Sequence, residues 1–129
     1  MKKSEFQFTD PSLTHVVFIE NEGFVVPEEQ GIGISTKLNT DSEKVSKTEA
    51  IVRLQIQIGN ETNEMPFMLE MEFKARFKWS TKLSDEQIEV FLNQNAPALL
   101  LSYARPLIAT ITNASQYPAY NIPFINFIE

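Results

Sequence analysis

The sequence predicts an α+β fold in which one antiparallel sheet is covered on one face by helices near the C-terminus. Apolar and polar residues alternate over 50–58 and 67–79, the pattern of strands with one buried and one hydrated face. From Ser84 onward the apolar residues recur at helical spacing instead. Because strands precede helices in a chain of 129 residues, we expect a single domain over residues 1–129.

The N-terminal region contains two shorter strand-like stretches. Residues 5–9 alternate weakly and residues 13–19 form a β-branched run, with Asp10-Pro11-Ser12 between them as a predicted break. Asn21-Glu22-Gly23 is typical of a turn. Because Pro27 lacks the amide proton that a strand ladder needs, the segment after the turn is predicted to be an edge strand or a crossover loop.

The rest of the sheet is predicted from the same alternation. Residues 31–38 alternate and are predicted to form a strand, whereas the polar stretch 39–49 is predicted to be a connection. Residues 59–64 join the strands 50–58 and 67–79, and we expect an antiparallel hairpin with an acidic tip there.

Two helices are predicted after the strands. Ser84-Asp85-Glu86-Gln87 has the spacing of a capping box, so residues 85–94 are expected to form a short amphipathic helix that ends at Asn93-Gln94-Asn95. A second helix is expected from about Pro97. Pro106 is predicted to kink it, because proline removes one hydrogen bond and clashes with the carbonyl four residues earlier.

The second helix is more apolar than one sheet face requires. Leu99, Leu101 and Tyr103 widen its apolar stripe beyond one face, and a helix that is apolar on several sides is usually buried on several sides. A homo-oligomer would bury the additional surface. The alternative is that residues 117–127, which are aromatic and proline-spaced, form an extended segment that covers it.

Composition and charge exclude several classes of protein. Seventeen acidic residues against eleven basic ones give a net charge of −6, which disfavours nucleic-acid binding and contact with anionic lipid. The absence of cysteine removes disulfides, thiolate nucleophiles and cysteine-type zinc sites. No apolar run follows Lys2-Lys3, and no stretch approaches the ~20 apolar residues of a membrane span. We therefore expect a cytoplasmic protein without membrane insertion.

No motif in the sequence requires an enzyme. His15 is the single histidine, lies in an apolar run and has no Gly-x-Ser-x-Gly motif to accompany it. Gly31-Ile32-Gly33-Ile34 lacks the third glycine and the Lys-Ser/Thr of a phosphate loop. Glu70 and Glu72 share a strand face with three cations, which favours a solvated charge ladder. We expect no catalytic residue, metal site or cofactor.

Two segments resemble the protein-export chaperone SecB and its relatives. Residues 89–105, EVFLNQNAPALLLSYAR, are similar to the N-x-P-x-I/L-L-x-P-Y-A-R-E segment that begins the family's long helix. Residues 117–127, YPAYNIPFINF, are similar to the F-P-x-L-x-L-x-P-V/I-N-F pattern that follows. The hairpin 59–69 is similar to the family's acidic hairpin, so the resemblance covers about residues 32–127.

The resemblance implies a SecB-like four-stranded antiparallel sheet with C-terminal helices packed on one face, assembled into dimers or tetramers. SecB-like proteins hold unfolded or precursor polypeptides in long apolar grooves without ATP. Their acidic sheet face and hairpin tip dock on the export motor SecA. The implied function is therefore a non-enzymatic, homo-oligomeric chaperone whose partners are unfolded or precursor polypeptides and a SecA-type motor.

Candidate site residues follow from the matching positions. The acidic partner-binding face is expected at Glu20, Glu61 and Glu64. The candidate groove residues are aromatic and are placed by general location: Phe18, Phe24, Tyr117, Tyr120 and Phe124. The residues expected on the oligomer helix are Leu101, Tyr103 and Arg105.

The sequence also departs from the family pattern. Pro106 stands where an acidic residue is usual, and no counterpart of the family's final helix and polar tail follows Phe127. We interpret the chain as a short, divergent SecB-like protein. The alternatives are a dedicated adaptor for one protein, in export or in a toxin–antitoxin system, and a small-ligand binder or enzyme. Buried charges around His15 would support a ligand pocket, and an apolar sheet–helix interface would argue against one.

Overall fold

The computed structural model describes residues 1–28 and 31–128, and its strands form one antiparallel sheet in the order β1-β4-β3-β2. The strands are β1 (Phe6–Glu20), β2 (Thr36–Ser46), β3 (Glu49–Gly59) and β4 (Phe67–Trp79). They are followed by α1 (Asp85–Val90), a π-helical turn (Phe91–Asn95) and α2 (Ala96–Asn113). The predicted fold, a four-stranded antiparallel sheet with C-terminal helices on one face, is confirmed.

The two central strands, β3 and β4, supply most of the core. Their inward side chains alternate as predicted, and Leu54 and Phe77 are almost completely buried. On the helix side these residues pack against α2, where Leu100, Ala104 and Ile108 are fully buried. Burying one such large side chain contributes about 1.5–3 kcal/mol, so this layer supplies most of the hydrophobic stabilisation.

The hairpin between β3 and β4 depends on one glycine. Gly59 has a φ of 69°, in the left-handed region that favours glycine. A Cβ atom at this position would lie 1.9 Å from the carbonyl oxygen of Phe67. No other residue fits there, so the hairpin predicted from the sequence is fixed at its first residue.

The connection predicted over residues 39–49 is wrong, because β2 pairs with β3 along this stretch. The turn is confined to Lys47 and Thr48. The inward positions Thr40 and Ser42 are polar and exposed. A strand hydrated on both faces needs no apolar alternation, so its sequence resembled a loop. The strand predicted from Gly31 begins only at Thr36, after an irregular stretch.

The break predicted at Asp10-Pro11-Ser12 is a bulge within one long strand. Register shifts occur between Thr9 and Ser12 and between Leu13 and His15, while β1 stays paired with β4 throughout. Each extra residue exchanges the sheet face on which the following side chains lie. Because the two bulges exchange the face twice, Phe18 lies on the helix side, on the same face as the aromatic residues at the start of the strand.

The helical region is continuous where the sequence predicted an end. Ser84 caps α1 and Gln87 bonds back to it, so the capping box is confirmed. Asn93-Gln94-Asn95 does not end the helix, because these residues belong to the π-helical turn that leads directly into α2. Pro106 is exposed and lies inside α2 without ending it.

The segment after α2 is pinned against the helix, as predicted. The buried hydroxyl of Thr112 accepts a hydrogen bond of 2.7 Å from the backbone N–H of Tyr120. The Arg105 guanidinium donates to the carbonyl oxygens of Ile122 and Pro123. Ile122 is 3% exposed and joins the core. Across the stretches 1–28 and 31–128, no helix combines the length and apolar character needed to cross a bilayer.

Candidate functional site

The described residues present three surfaces that could carry function: the hydrated sheet face, the acidic hairpin tip and the apolar side of β1. The hydrated face is the side of the sheet opposite the helices. His15 lies on it with 52% of its side chain exposed, and its Nε2 atom is 3.4 Å from Oε2 of Glu70. The histidine is therefore an edge residue beside a carboxylate, not part of a buried charged cluster.

Glu72 is the most tightly hydrogen-bonded carboxylate on the hydrated face. The Thr14 hydroxyl donates to Oε2, and the Gln55 amide donates to Oε1 over 3.0 Å. These two hydrogen bonds, the Thr14 contribution being the larger, hold the pKa of Glu72 below its ordinary value. The Glu72 carboxylate is thereby kept ionised, and both of its oxygens are already hydrogen-bonded. This arrangement suits a structural charge ladder on the strand face better than acid–base chemistry.

An open concavity of about 790 Å³ lies on the hydrated face between His15 and Lys37. Its walls carry both charges and side-chain amides, including Gln55, Gln57 and Glu70. A broad polar depression of this kind fits the surface of another protein better than an enclosed small molecule. In the described part of the chain, no three His, Asp or Glu side chains are grouped so that they could hold a metal ion.

The interface between sheet and helices is apolar. Among the described residues, Thr112 is the one buried polar residue, and its hydroxyl is fully hydrogen-bonded. This arrangement argues against a ligand pocket between sheet and helices, which was the alternative that buried charges around His15 would have supported.

The acidic tip is the hairpin loop 60–66 between β3 and β4. Glu61 and Glu64 are both exposed on it, as the sequence predicted. Glu20 does not join them. Its half-buried carboxylate accepts hydrogen bonds from the backbone N–H and side-chain amide of Gln116, at 3.1 and 3.2 Å. Glu20 therefore ties the end of β1 to the segment after α2 instead of facing outward.

Three of the five candidate groove residues lie at the end of β1 on the helix side. Phe18 packs against Phe67, with ring centroids 5.4 Å apart. Phe24 meets Tyr117 edge to face at 5.9 Å, beside the hydrogen-bonded Glu20. We call Phe18, Phe24 and Tyr117 the aromatic cluster.

The other two candidate groove residues lie elsewhere. The Tyr120 hydroxyl is 2.8 Å from the Thr36 hydroxyl at the opposite edge of the sheet. Phe124 is 95% exposed in the segment after α2. The structure therefore groups only part of the set that the resemblance implied.

The residues expected on the oligomer helix have different environments. Leu101 is 2% exposed and packs in the core, so it cannot contact a second copy. The Arg105 guanidinium is already hydrogen-bonded to carbonyl oxygens of the segment after α2. Tyr103 is 40% exposed and touches Phe8 of β1, and Leu107 lies one turn further along the same helix face, 37% exposed.

Sequence reasoning missed the part of this apolar surface that β1 contributes. Leu13 and Val16 are about 40% exposed and point to the helix side of the sheet. We call Leu13, Val16, Tyr103 and Leu107 the β1–α2 flank. The sequence signal for this apolar surface was the β-branched run over 13–19. A strand at a hydrated edge would carry polar residues at these positions.

Comparison with known proteins gives a consistent result. A family model described as preprotein translocase subunit SecB matches residues 19–129. An uncharacterised protein of Methanocaldococcus jannaschii is 26% identical over 96% of this chain and 81% of its own length. The SecB export protein of Dinoroseobacter shibae is 27% identical over 74% of this chain. That of Anaplasma phagocytophilum is 29% identical over 67%. The chain spans 57% of the length of each of these two SecB proteins.

Solved structures share the fold. The SecB-like chaperone Rv1957 of Mycobacterium tuberculosis, in complex with a peptide from the HigA1 antitoxin, superimposes with a TM-score of 0.66. The two chains are 14% identical, and the match covers 93% of this chain and 90% of the other. A Streptococcus agalactiae protein of unknown function gives a TM-score of 0.55 at 12% identity, over 92% of this chain and 97% of the other.

Proposed function

Because the chain belongs to the SecB family, we propose that it is a non-enzymatic chaperone that binds unfolded or precursor polypeptides in the cytoplasm and holds them without ATP. One observation supports this most directly: apolar side chains remain uncovered beside the aromatic cluster. Val25 and Val26, which follow Phe24 in the chain, are 81% and 50% exposed. Neighbouring exposed apolar residues of this kind offer a contact for another polypeptide.

The aromatic cluster is the proposed client contact. Phe24 lies outside regular secondary structure, and the edge-to-face contact joins it to Tyr117, a residue just beyond α2. An aromatic pair held by loops can accept different apolar side chains, because little regular structure has to be broken to admit them. Affinity would come from buried apolar area, with no covalent step.

The β1–α2 flank is the proposed contact between copies of the chain in a dimer or tetramer. Closed symmetry would place the flanks of two copies against each other, so that all four side chains of each copy are buried. The helical contribution comes from Tyr103 and Leu107, since Leu101 is already buried within one chain.

The acidic tip is the proposed docking surface for a basic protein surface, of which a SecA-type export motor is one candidate. Glu61 and Glu64 are exposed there without an ion pair among the described residues. Complementary charge of this kind speeds association and selects the partner.

A dedicated adaptor for one partner is the second candidate function. It is favoured by the structural neighbour from Mycobacterium tuberculosis, a SecB-like chaperone that was solved with an antitoxin peptide. A pull-down that returns one stoichiometric partner would support the adaptor role over general holding.

The chaperone proposal is tested by the aggregation of a model protein that is unfolded by heat or dilution from denaturant. The protein should suppress aggregation at stoichiometric ratio, and Phe24→Ser should weaken that effect. Val45→Ser is the control, because Val45 is an exposed apolar residue at the far edge of the sheet, away from the aromatic cluster. A folded, assembled protein that leaves aggregation unchanged would refute general holding.

A further inference from the structure

The turn after β1 makes direct contact with the acidic tip. The side-chain amide nitrogen of Asn21 lies 2.7 Å from the carbonyl oxygen of Asn60, 3.0 Å from that of Thr62 and 2.9 Å from that of Met65. Its backbone N–H donates to the Pro66 carbonyl over 2.9 Å. One residue therefore contacts four carbonyls of a loop that lies about forty positions further along the chain.

Three carbonyl oxygens converge at this point, so a hydrogen-bond donor is needed between them. A side-chain amide supplies two N–H groups from one nitrogen, so at least one of them is shared between two carbonyls. Without that nitrogen, the dipoles of Asn60, Thr62 and Met65 would repel one another and one or more would be left unsatisfied. Losing the hydrogen-bond partner of a partly buried polar group destabilises the arrangement that the partner held.

A second contact fixes the turn against the tip. A Cβ atom at Gly23 would lie 2.6 Å from the side-chain oxygen of Asn63, so the Asn63 side chain packs directly against the backbone of the turn at a position where only glycine leaves room for it. The tip's own side-chain bonds are local: the hydroxyl of Thr62 and its backbone N–H both donate to Asn60 Oδ1. Among the described residues, the hydrogen bonds that join the loop 60–66 to a distant segment come from Asn21.

We propose that Asn21 is a positioning residue for the acidic tip. It draws the carbonyls of the loop inward and thereby holds Glu61 and Glu64 outward in one arrangement that a basic partner can meet. This inference rests on the proposed docking function of the tip. It adds a residue that itself contacts no partner.

The test uses fluorescence anisotropy with a labelled lysine- and arginine-rich peptide at low salt. The double variant Glu61→Gln, Glu64→Gln tests docking itself and should weaken binding about tenfold, since two charge contacts are lost. Asn21→Asp keeps the size of the side chain but replaces the donor with an acceptor. It also adds negative charge near the tip, which alone would tighten binding of a basic peptide.

Asn21→Asp should nevertheless weaken binding several-fold, and Asn21→Ala should weaken it less. Ser35→Asp is the charge control, because Ser35 is exposed beside the hairpin, where its carbonyl oxygen accepts a hydrogen bond from the backbone N–H of Gly59 over 2.8 Å, and belongs to neither the turn nor the tip. It should bind the peptide as tightly as the parent protein or more tightly. Hydrogen exchange of the amides of residues 61–65 should accelerate in both Asn21 variants. That readout keeps the test valid if one variant is less stable overall.

The outcomes separate the two claims. Unchanged binding in the double glutamine variant overturns docking at the tip. If that variant loses binding while Asn21→Asp binds as well as Ser35→Asp, with unchanged exchange at the tip, the positioning role is wrong.

Discussion

The two edges of the sheet have opposite surfaces. At the β1 edge, Leu13 and Val16 present apolar side chains toward the helix side. At the β2 edge, the exposed positions are occupied mainly by polar or charged residues such as Lys37, Asp41 and Glu43. Charged side chains along an edge discourage pairing with other chains, whereas an apolar edge invites it.

The difference indicates where partners approach. β2 is protected by its own charges, and the turn and hairpin tip at the end of the sheet are acidic. β1 combines exposed apolar residues with bulges, which limit how far another strand can pair with it. In the proposed assembly, contact at β1 would therefore use side chains more than backbone hydrogen bonds.

The largest effect is expected from a charge placed at the apolar edge. Val16→Asp should convert the assembly to monomers, because it buries an unpaired carboxylate in the proposed contact between copies. Val45→Asp, at a similarly exposed position of the β2 edge, should leave the mass unchanged. Light scattering on the eluting protein measures both, and an unchanged mass for Val16→Asp would contradict the assignment of the flank.

The next effect concerns the stability that each edge strand contributes. Phe6 of β1 stacks on Phe77 and Phe91 with centroid distances of 5.2 and 4.7 Å. Phe6→Ala should lower the free energy of unfolding by about 2–4 kcal/mol, whereas Thr40→Ala on β2 should change it by less than about 0.5 kcal/mol. Urea unfolding followed by Trp79 fluorescence measures both values. Equal losses would show that the two edges contribute alike.

The smallest effect concerns the carboxylate beside β1 on the hydrated face. The hydrogen bonds from Thr14 and Gln55 keep the folded-state pKa of Glu72 lowered from 4.5. Their stabilisation is therefore present above the unfolded-state pKa and is lost as the pH falls through the lower folded-state value. Glu72→Gln should flatten the decline in stability below about pH 4.5, and Thr14→Val should flatten it in the same direction.

Thermal unfolding of the parent protein and both variants across this acidic range provides the measurement. Identical acid sensitivity in all three proteins would show that the contact between Thr14 and Glu72 contributes nothing to folding.

The sequence predicted the elements whose own pattern of apolar and polar residues shows which face is buried. β4 is central, so its thirteen residues alternate without interruption and its bounds were found as 67–79. β2 has a charged outer face, and its inward positions Thr40 and Ser42 are exposed, so no period marked it as a strand. The bulges at Asp10-Pro11 and Thr14 depend on the pairing with β4, which hydropathy alone does not encode.

The candidate sites divide in the same way. Glu61 and Glu64 were found because an acidic hairpin is a local feature of the sequence. The carbonyl contacts of Asn21 and the contact of Tyr103 with Phe8 of β1 arise only when distant segments meet. Leu101 was misplaced for the same reason, since periodicity does not distinguish a helix face that covers the sheet from one that faces a partner.

The central claim is that the protein binds polypeptides in the unfolded state through the aromatic cluster at the end of β1. It is tested most directly by titrating the protein with one labelled model polypeptide in two forms, permanently unfolded and native. We predict saturable binding of the unfolded form only, weakened by Phe24→Ser and unaffected by Val45→Ser. Equal binding of both forms, or no binding of either by the folded and assembled protein, would contradict the account.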